Sequence, residues 1–254
     1  MFYWRSTVPP SVTPASAHGR TVELAFTGRS PGAGAAPYRG LNLGGHVGDD
    51  ADMVEVNRTA LAARLGLPRQ RLLFVNQVHG DQVEIVSGPW TGLVPNADAM
   101  VTREAGLALA VLVADCVPVL LHDARAGVVA AVHAGRPGMV AEVVLRTVER
   151  MRDVGASEVS AVVGPAVCGR CYEVPAALVD EAAAVAPSSR ARSWTGTPAI
   201  DVAAGVVEQL AGADVTVTWV PGCTREHHDL YSYRRDHVTG RFAGLVLLRE
   251  ASSP

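Results

Sequence analysis

Residues 107–139, LALAVLVADCVPVLLHDARAGVVAAVHAGRPGM, constrain the fold more than any other part of the chain. They contain three near-continuous apolar runs of strand length, LALAVLVA, VPVLLHD and GVVAAVHA, rich in Val and separated by Pro or Gly. Runs of this kind read as strands covered on both faces, so the polar residues at their ends carry the information. Asp115 and Cys116 close the first run and His133 closes the third. The pattern predicts a buried sheet whose ends present a site.

Around this core the remaining segments predict a mixed α/β fold. Residues 1–20 read as a loose N-terminal tail, Pro- and Ser-bearing, with residues 21–254 as a single catalytic domain. Strands are expected over 22–26, 71–75, 82–86, 97–102, 158–163, 214–220 and 243–248. Helices are expected over 51–65, capped by Asp49-Asp50 and stopped at Gly66, and over 140–154, 175–185 and 202–210. The loop TGRSPGAGAAPYRGLNLGGHVGDD is dense in Gly and Pro, and a loop this long between periodic segments is uncommon without a function. It carries Arg29, Arg39, Asn42 and His46, although a surface lid without chemistry fits it as well.

Charge and composition exclude several classes. The formal net charge of −3 argues against a nucleic-acid binder. All 22 basic residues are arginine, which removes a Schiff-base lysine, a Walker-A lysine and a lysine base from consideration. Anions must be held by arginine, whose fork suits phosphate or carboxylate. The first residues lack the apolar core of a signal peptide, and Asp115, Cys116 and Pro118 interrupt the longest apolar stretch, so no membrane span is expected. Four cysteines without a signal suggest a reducing, cytoplasmic setting and metal binding or catalysis rather than a disulfide framework.

His79, Cys116 and His133 all stand at loop-like positions after strands. Two imidazoles and a thiolate are a zinc ligand set, and three protein ligands leave a fourth position for water or substrate. Asp115, next to Cys116, is expected to accept an N–H from a ligand histidine. By spacing alone, a satisfied core histidine and an inert core thiol remain open readings of His133 and Cys116.

The ordered strings NQVHGDQV, NADAMVT, LVADCVPVLLHD, AAVHAG, GPAV…CYEV and SYRRD…TGR, with the Gly-rich loop before them, extend this reading. Together they resemble the laccase-domain family of purine nucleoside phosphorylases, also called multicopper polyphenol oxidase or peptidoglycan editing factor. The resemblance runs from about residue 26 to 248. It implies an α/β/β/α sandwich with mixed sheets, a monomer, and zinc held by His79, Cys116 and His133. It also implies phosphorolysis of adenosine, inosine and methylthioadenosine, with deamination of adenosine. One departure stands out: the family usually reads HAGWRG, and here the Trp is absent and the arginine moves to Arg136.

Inorganic phosphate is expected at Arg29, Arg39, Arg136 or the Arg234-Arg235 pair, with Asn42 and Ser232 as further contacts and Asp81 or Asp115 as proton donor. Zinc deaminases of the H-x-E type are a different superfamily, since here the string is His79-Gly80-Asp81. Multicopper oxidases build their cluster from His-x-His pairs, which none of the eight histidines form. A cell-wall precursor hydrolase using Cys116 is the alternative activity, and a non-enzymatic metal-binding protein is a third class. A second metal at Cys168, Cys171 and Cys223, completed by His227 or His228, is a further possibility of the sequence.

Overall fold

The computed structural model describes residues 1–9 and 20–250. Its first half runs β1 (Phe2–Val8), β2 (Thr21–Thr27), α1 (Ala51–Arg64), β3 (Leu72–Leu73), β4 (Val83–Val86), β5 (Ala99–Thr102) and β6 (Ala108–Val113). The centre holds β7 (Val117–Asp123), β8 (Val128–Ala134), α2 (Arg136–Val140), α3 (Val143–Asp153) and β9 (Ser160–Val163). Then follow α4 (Ala176–Val185), β10 (Arg190–Arg192), β11 (Pro198–Ile200), α5 (Val202–Gly212), β12 (Thr216–Trp219), α6 (Tyr233–Asp236) and β13 (Phe242–Arg249). One sheet has the order β1-β2-β13-β6-β3 and a second the order β12-β9-β7-β8-β5-β4, while β10 and β11 form a separate hairpin. Both large sheets mix parallel and antiparallel pairs.

The layering follows from the period of two along each strand. In β6, Leu109 and Val111 face the second sheet, whereas Ala108, Ala110 and Leu112 face α1 with Leu61, Ala62 and Leu65. In β8, Val129 and Ala131 face the first sheet, and Val128, Ala130 and Val132 pack with Val144, Val148 and Met151 of α3. The result is helix, sheet, sheet, helix: the expected α/β/β/α sandwich. The strands β6 and β8 are buried along their whole length, as continuous apolar runs require.

Two expectations need correction. Phe2–Val8 is not a loose tail but an edge strand, paired antiparallel with β2. Its Arg5 reaches the buried Glu23 at 2.5 Å, and Arg249 meets the same carboxylate at 2.7 Å. A buried carboxylate must be paired, so Glu23 ties both chain ends to the sheet. Residues 10–19 of the expected tail lie outside the described residues. The helix expected over 140–154 begins only at Val143, because Glu142 adopts φ 60° and separates it from the short α2 that precedes it.

Contact between the layers is tight at Phe26. A Cβ added at Gly164 would lie 2.4 Å from its ring, and Phe26 is fully buried. Gly164→Ala should therefore destabilise the protein by about 1–3 kcal/mol through overpacking, read as a lowered urea midpoint with an unchanged slope.

Candidate metal centre and cavity

The site forms where the ends of both sheets meet. Cys116 lies in the turn between β6 and β7, His133 near the end of β8, and His79 in the loop after β3. One donor atom from each of the three lies within 4.8 Å of the others. The His79 Nε2 to Cys116 Sγ distance is 3.7 Å, and the two imidazole rings meet edge to face with centroids 4.7 Å apart. The group therefore fits a metal ion by donor type and by spacing.

Asp98 organises it. This carboxylate is fully buried at the start of β5 and accepts from His133 Nδ1 at 2.8 Å. That bond leaves His133 Nε2 as the free donor. The same carboxylate accepts the backbone N–H groups of Val78 at 3.2 Å, His79 at 3.0 Å and Gly80 at 2.7 Å. It thus holds His79 in its left-handed conformation, φ 61°. Burial alone would raise the Asp98 pKa, but the His133 and backbone hydrogen bonds hold it below the ordinary value. Its stabilising contribution is present above the ordinary carboxylate range and is lost as the pH falls through the lowered value.

Cys116 and His133 perturb each other in the metal-free protein. Burial would raise the thiol, yet the charge and hydrogen bonds of His133 and His79 bring it down to about 6. Burial would lower His133, yet the Cys116 thiolate and the Asp98 hydrogen bond bring it up to about 9. Between these limits the pair is thiolate and imidazolium. Stability from the thiolate is lost as the pH falls through about 6, and that from the imidazolium as it rises through about 9. In chelator-treated protein, alkylation of Cys116 should rise through about pH 6; an onset near the ordinary thiol value of about 8.5 would contradict this pairing.

A cavity of about 330 Å³ opens onto the site, lined by His79, Cys116, Asp115, Arg136, Tyr172, Tyr233, Arg234 and Arg241 among others. Arg136 is anchored by Glu181 at 2.7 Å, and the Arg234 guanidinium lies 4.9 Å from the Tyr172 ring centroid. Burial, and next the Cys116 charge, push the Tyr172 phenol above its ordinary value, so it stays protonated. Gly135 must lack a side chain, because its Cβ would meet His79 Cδ2 at 2.7 Å and Cys116 Sγ at 3.2 Å.

Of the residues expected from sequence, His79, Cys116, His133, Arg136 and Arg234 converge here. Asp115 does not hold a ligand histidine; its oxygens accept from Thr224 Oγ1 at 2.5 Å and from the Arg234 N–H at 2.7 Å, which places the arginine. Arg29 and Arg39 lie outside the cavity lining: Arg29 donates to the Arg39 carbonyl and covers the Tyr231 ring, and the Arg39 side chain is exposed. Asn42 is buried structure, bonded to Gly44, Asp49 and the Arg241 N–H. Ser232 caps α6, and the Arg235 guanidinium is taken up by the carbonyls of Thr224, His227 and Leu230 and by Asp236. Asp81 pairs with Arg146 at 3.4 Å, away from the cavity lining.

Asp98, Tyr172, Tyr233 and Arg241 were not singled out as site residues from sequence, although each falls within a quoted string. The one signal available was Asp98, a charge directly before an apolar run, as Asp115-Cys116 is directly after one.

The sequence model of the multi-copper polyphenol oxidoreductase laccase family matches residues 23–249. The chain is 54% identical over 227 residues to a purine nucleoside phosphorylase of Streptomyces coelicolor, covering 88% of this chain and 94% of that one. It is 50% identical over 223 residues to a purine nucleoside phosphorylase of Mycobacterium tuberculosis, covering 87% and 89%. Among solved structures it is similar to YlmD from Geobacillus stearothermophilus, with TM-score 0.82, 30% identity, and 90% and 92% of the two chains covered. A Neisseria meningitidis protein gives TM-score 0.81 at 31% identity, covering 96% and 99%.

Proposed function

The chain belongs to the multi-copper polyphenol oxidoreductase laccase family, and on that premise we propose that it is a zinc-dependent purine nucleoside phosphorylase. The observation that carries this reading is a two-imidazole, one-thiol donor set of which His79 and Cys116 line a single cavity together with three arginines, with His133 buried behind them. The relatives named purine nucleoside phosphorylase, similar over nearly their whole length, support the same class. Adenosine, inosine and methylthioadenosine are the proposed nucleosides, with free base and ribose 1-phosphate as products. Deamination of adenosine to inosine is the second proposed activity, with water as nucleophile in place of phosphate.

His79, Cys116 and His133 would hold the zinc ion, which would supply Lewis acidity at the substrate. The chain's own residues supply the rest. Arg136, Arg234 and Arg241 give phosphate its positive counterpart, and their forks match its oxygens. Asp115 fixes the Arg234 backbone and Glu181 fixes the Arg136 guanidinium, so both are set before substrate arrives. Tyr172 and Tyr233 offer aromatic faces to the purine, and the protonated Tyr172 hydroxyl donates a hydrogen bond. Copper-oxidase chemistry lacks its ligands: the described residues bring only two imidazoles into the centre. The protein is further read as a cytoplasmic monomer. Its four thiols are free, and no helix among the described residues is long and apolar enough to cross a membrane.

A second reading is favoured by one observation. Cys116, His133 and Asp98 also stand in the order of a thiol nucleophile, its base and the carboxylate that orients the base. A cell-wall precursor hydrolase would use that triad without metal and without consuming phosphate. Incubation with adenosine and phosphate, followed by chromatography, separates the two. Adenine and ribose 1-phosphate, with some inosine, are expected; absence of all three products from zinc-loaded protein would favour the hydrolase.

A further inference from the structure

The chain carries a second group of metal-binding donors. One atom each from Cys168, Cys171, Cys223 and Glu226 lies within 4.8 Å of the others. We propose that these four residues form a structural site for a thiophilic divalent cation, zinc by ligand type. Three sulfurs and one carboxylate oxygen complete a tetrahedral shell with no position left for substrate, which is the arrangement of a structural rather than a catalytic ion.

The surroundings are built for it. Cys168 and Cys171 bracket a tight turn in which the Cys171 N–H donates to the Cys168 carbonyl at 2.9 Å. The Cys168 N–H points at Cys223 Sγ at 3.5 Å, which joins the two segments at the cluster itself. Cys171 Sγ is 3.2 Å from Glu226 Oε1, and the Trp194 indole N–H orients the same oxygen at 3.4 Å. Arg170 lies over the Trp194 ring at 4.4 Å and places a positive charge beside the donors. Backbone bonds also join the two chain segments: Ala166 N–H to the Gly222 carbonyl at 3.3 Å, and Thr224 N–H to the Ala166 carbonyl at 3.1 Å. The donors are thus assembled before an ion arrives. The sequence pointed to His227 or His228 as the fourth ligand, but His227 instead stacks edge-on against Tyr3.

The position gives the site a purpose. The segment holding Cys168 and Cys171 continues into Tyr172, and the segment holding Cys223 and Glu226 continues into Tyr233 and Arg234. These are two walls of the catalytic cavity, which touch where Arg234 covers Tyr172. An ion here fastens one wall to the other without touching substrate, and this holds whatever reaction the cavity performs.

Metal content per chain, measured by elemental analysis on the purified full-length protein, tests the proposal. In His79→Ala/Cys116→Ala, which leaves the first centre a single ligand, one ion per chain should remain. Adding Cys223→Ser should remove it. Absence of bound metal in the double variant, or its retention after Cys223→Ser, overturns the site. The wild-type protein gives a check that needs no folding of variants. The half-buried Cys168 and Cys223 should resist a thiol reagent until a strong chelator is added; full reaction beforehand, or a disulfide between cluster cysteines in mass spectra, overturns it as well.

Discussion

Cys116→Ala should empty the proposed metal centre and lower phosphorolysis by roughly 10³-fold or more, the scale on which a lost Lewis acid and its several kcal/mol register. Cys116 is the only thiol among the three candidate ligands, and a soft one. Without it, two imidazoles remain, of which His133 is charged at neutral pH only because the thiolate and Asp98 stand beside it. The substitution therefore removes a ligand and also changes the titration of its neighbour. Some stability should be lost as well, because the thiolate that offsets the His133 charge leaves a half-buried turn. Metal analysis, the thermal midpoint and phosphate-dependent adenine release should be measured on the same preparation. Full metal content with full activity in this variant would refute the assigned mechanism.

Asp98→Asn should be nearly as damaging, although Asp98 is not one of the three candidate ligands and does not line the cavity. The amide replaces one acceptor oxygen with an N–H₂ group, and four donors now converge on that carboxylate: His133 Nδ1 and the N–H groups of residues 78, 79 and 80. At least one donor is left facing another, and the His133 ring loses its fixed orientation. Disturbing a metal ligand's hydrogen-bond partner typically lowers affinity about 10–100-fold. Breaking a buried charged pair costs about 3–5 kcal/mol of stability, so the melting midpoint should fall with it. Competition with a coloured chelator reads the affinity, and an Asn variant that binds metal as tightly as wild type would remove Asp98 from this role.

The central sheet was legible because the strands of 107–139 are near-continuous apolar runs with His122, Asp123 and His133 confined to their ends, and only strands buried on both faces tolerate that. The edge strand β1 was not. FYWRSTV has an arginine in the middle and is followed by a Pro- and Ser-bearing stretch, and the carboxylate that explains Arg5 stands on another strand. The three ligands were legible as types, but their meeting was not. It depends on the β5–β8 register, which pairs Ala99 with Val132 and so sets Asp98 beside His133. Asp115 looks equivalent in sequence, but it sits in the turn between β6 and β7 and faces Thr224 instead. The arginines were likewise indistinguishable by sequence. What separates Arg234 from Arg235 is that backbone carbonyls saturate the second and leave the first to the cavity. Nothing local in the sequence marks Glu226, rather than His227, as the neighbour of the three cysteines: Glu226 lies against Cys171, while His227 stacks on Tyr3.

The central claim is that the His79, Cys116 and His133 centre, loaded with metal, is where phosphate cleaves the nucleoside. Adenine release from adenosine and phosphate should be measured on native protein, after chelation, and after zinc is returned. Activity is expected to disappear on chelation, to return with zinc in wild type but not in Cys116→Ala, and to require phosphate throughout. An undiminished rate in metal-free protein, or a rate indifferent to phosphate, would contradict it.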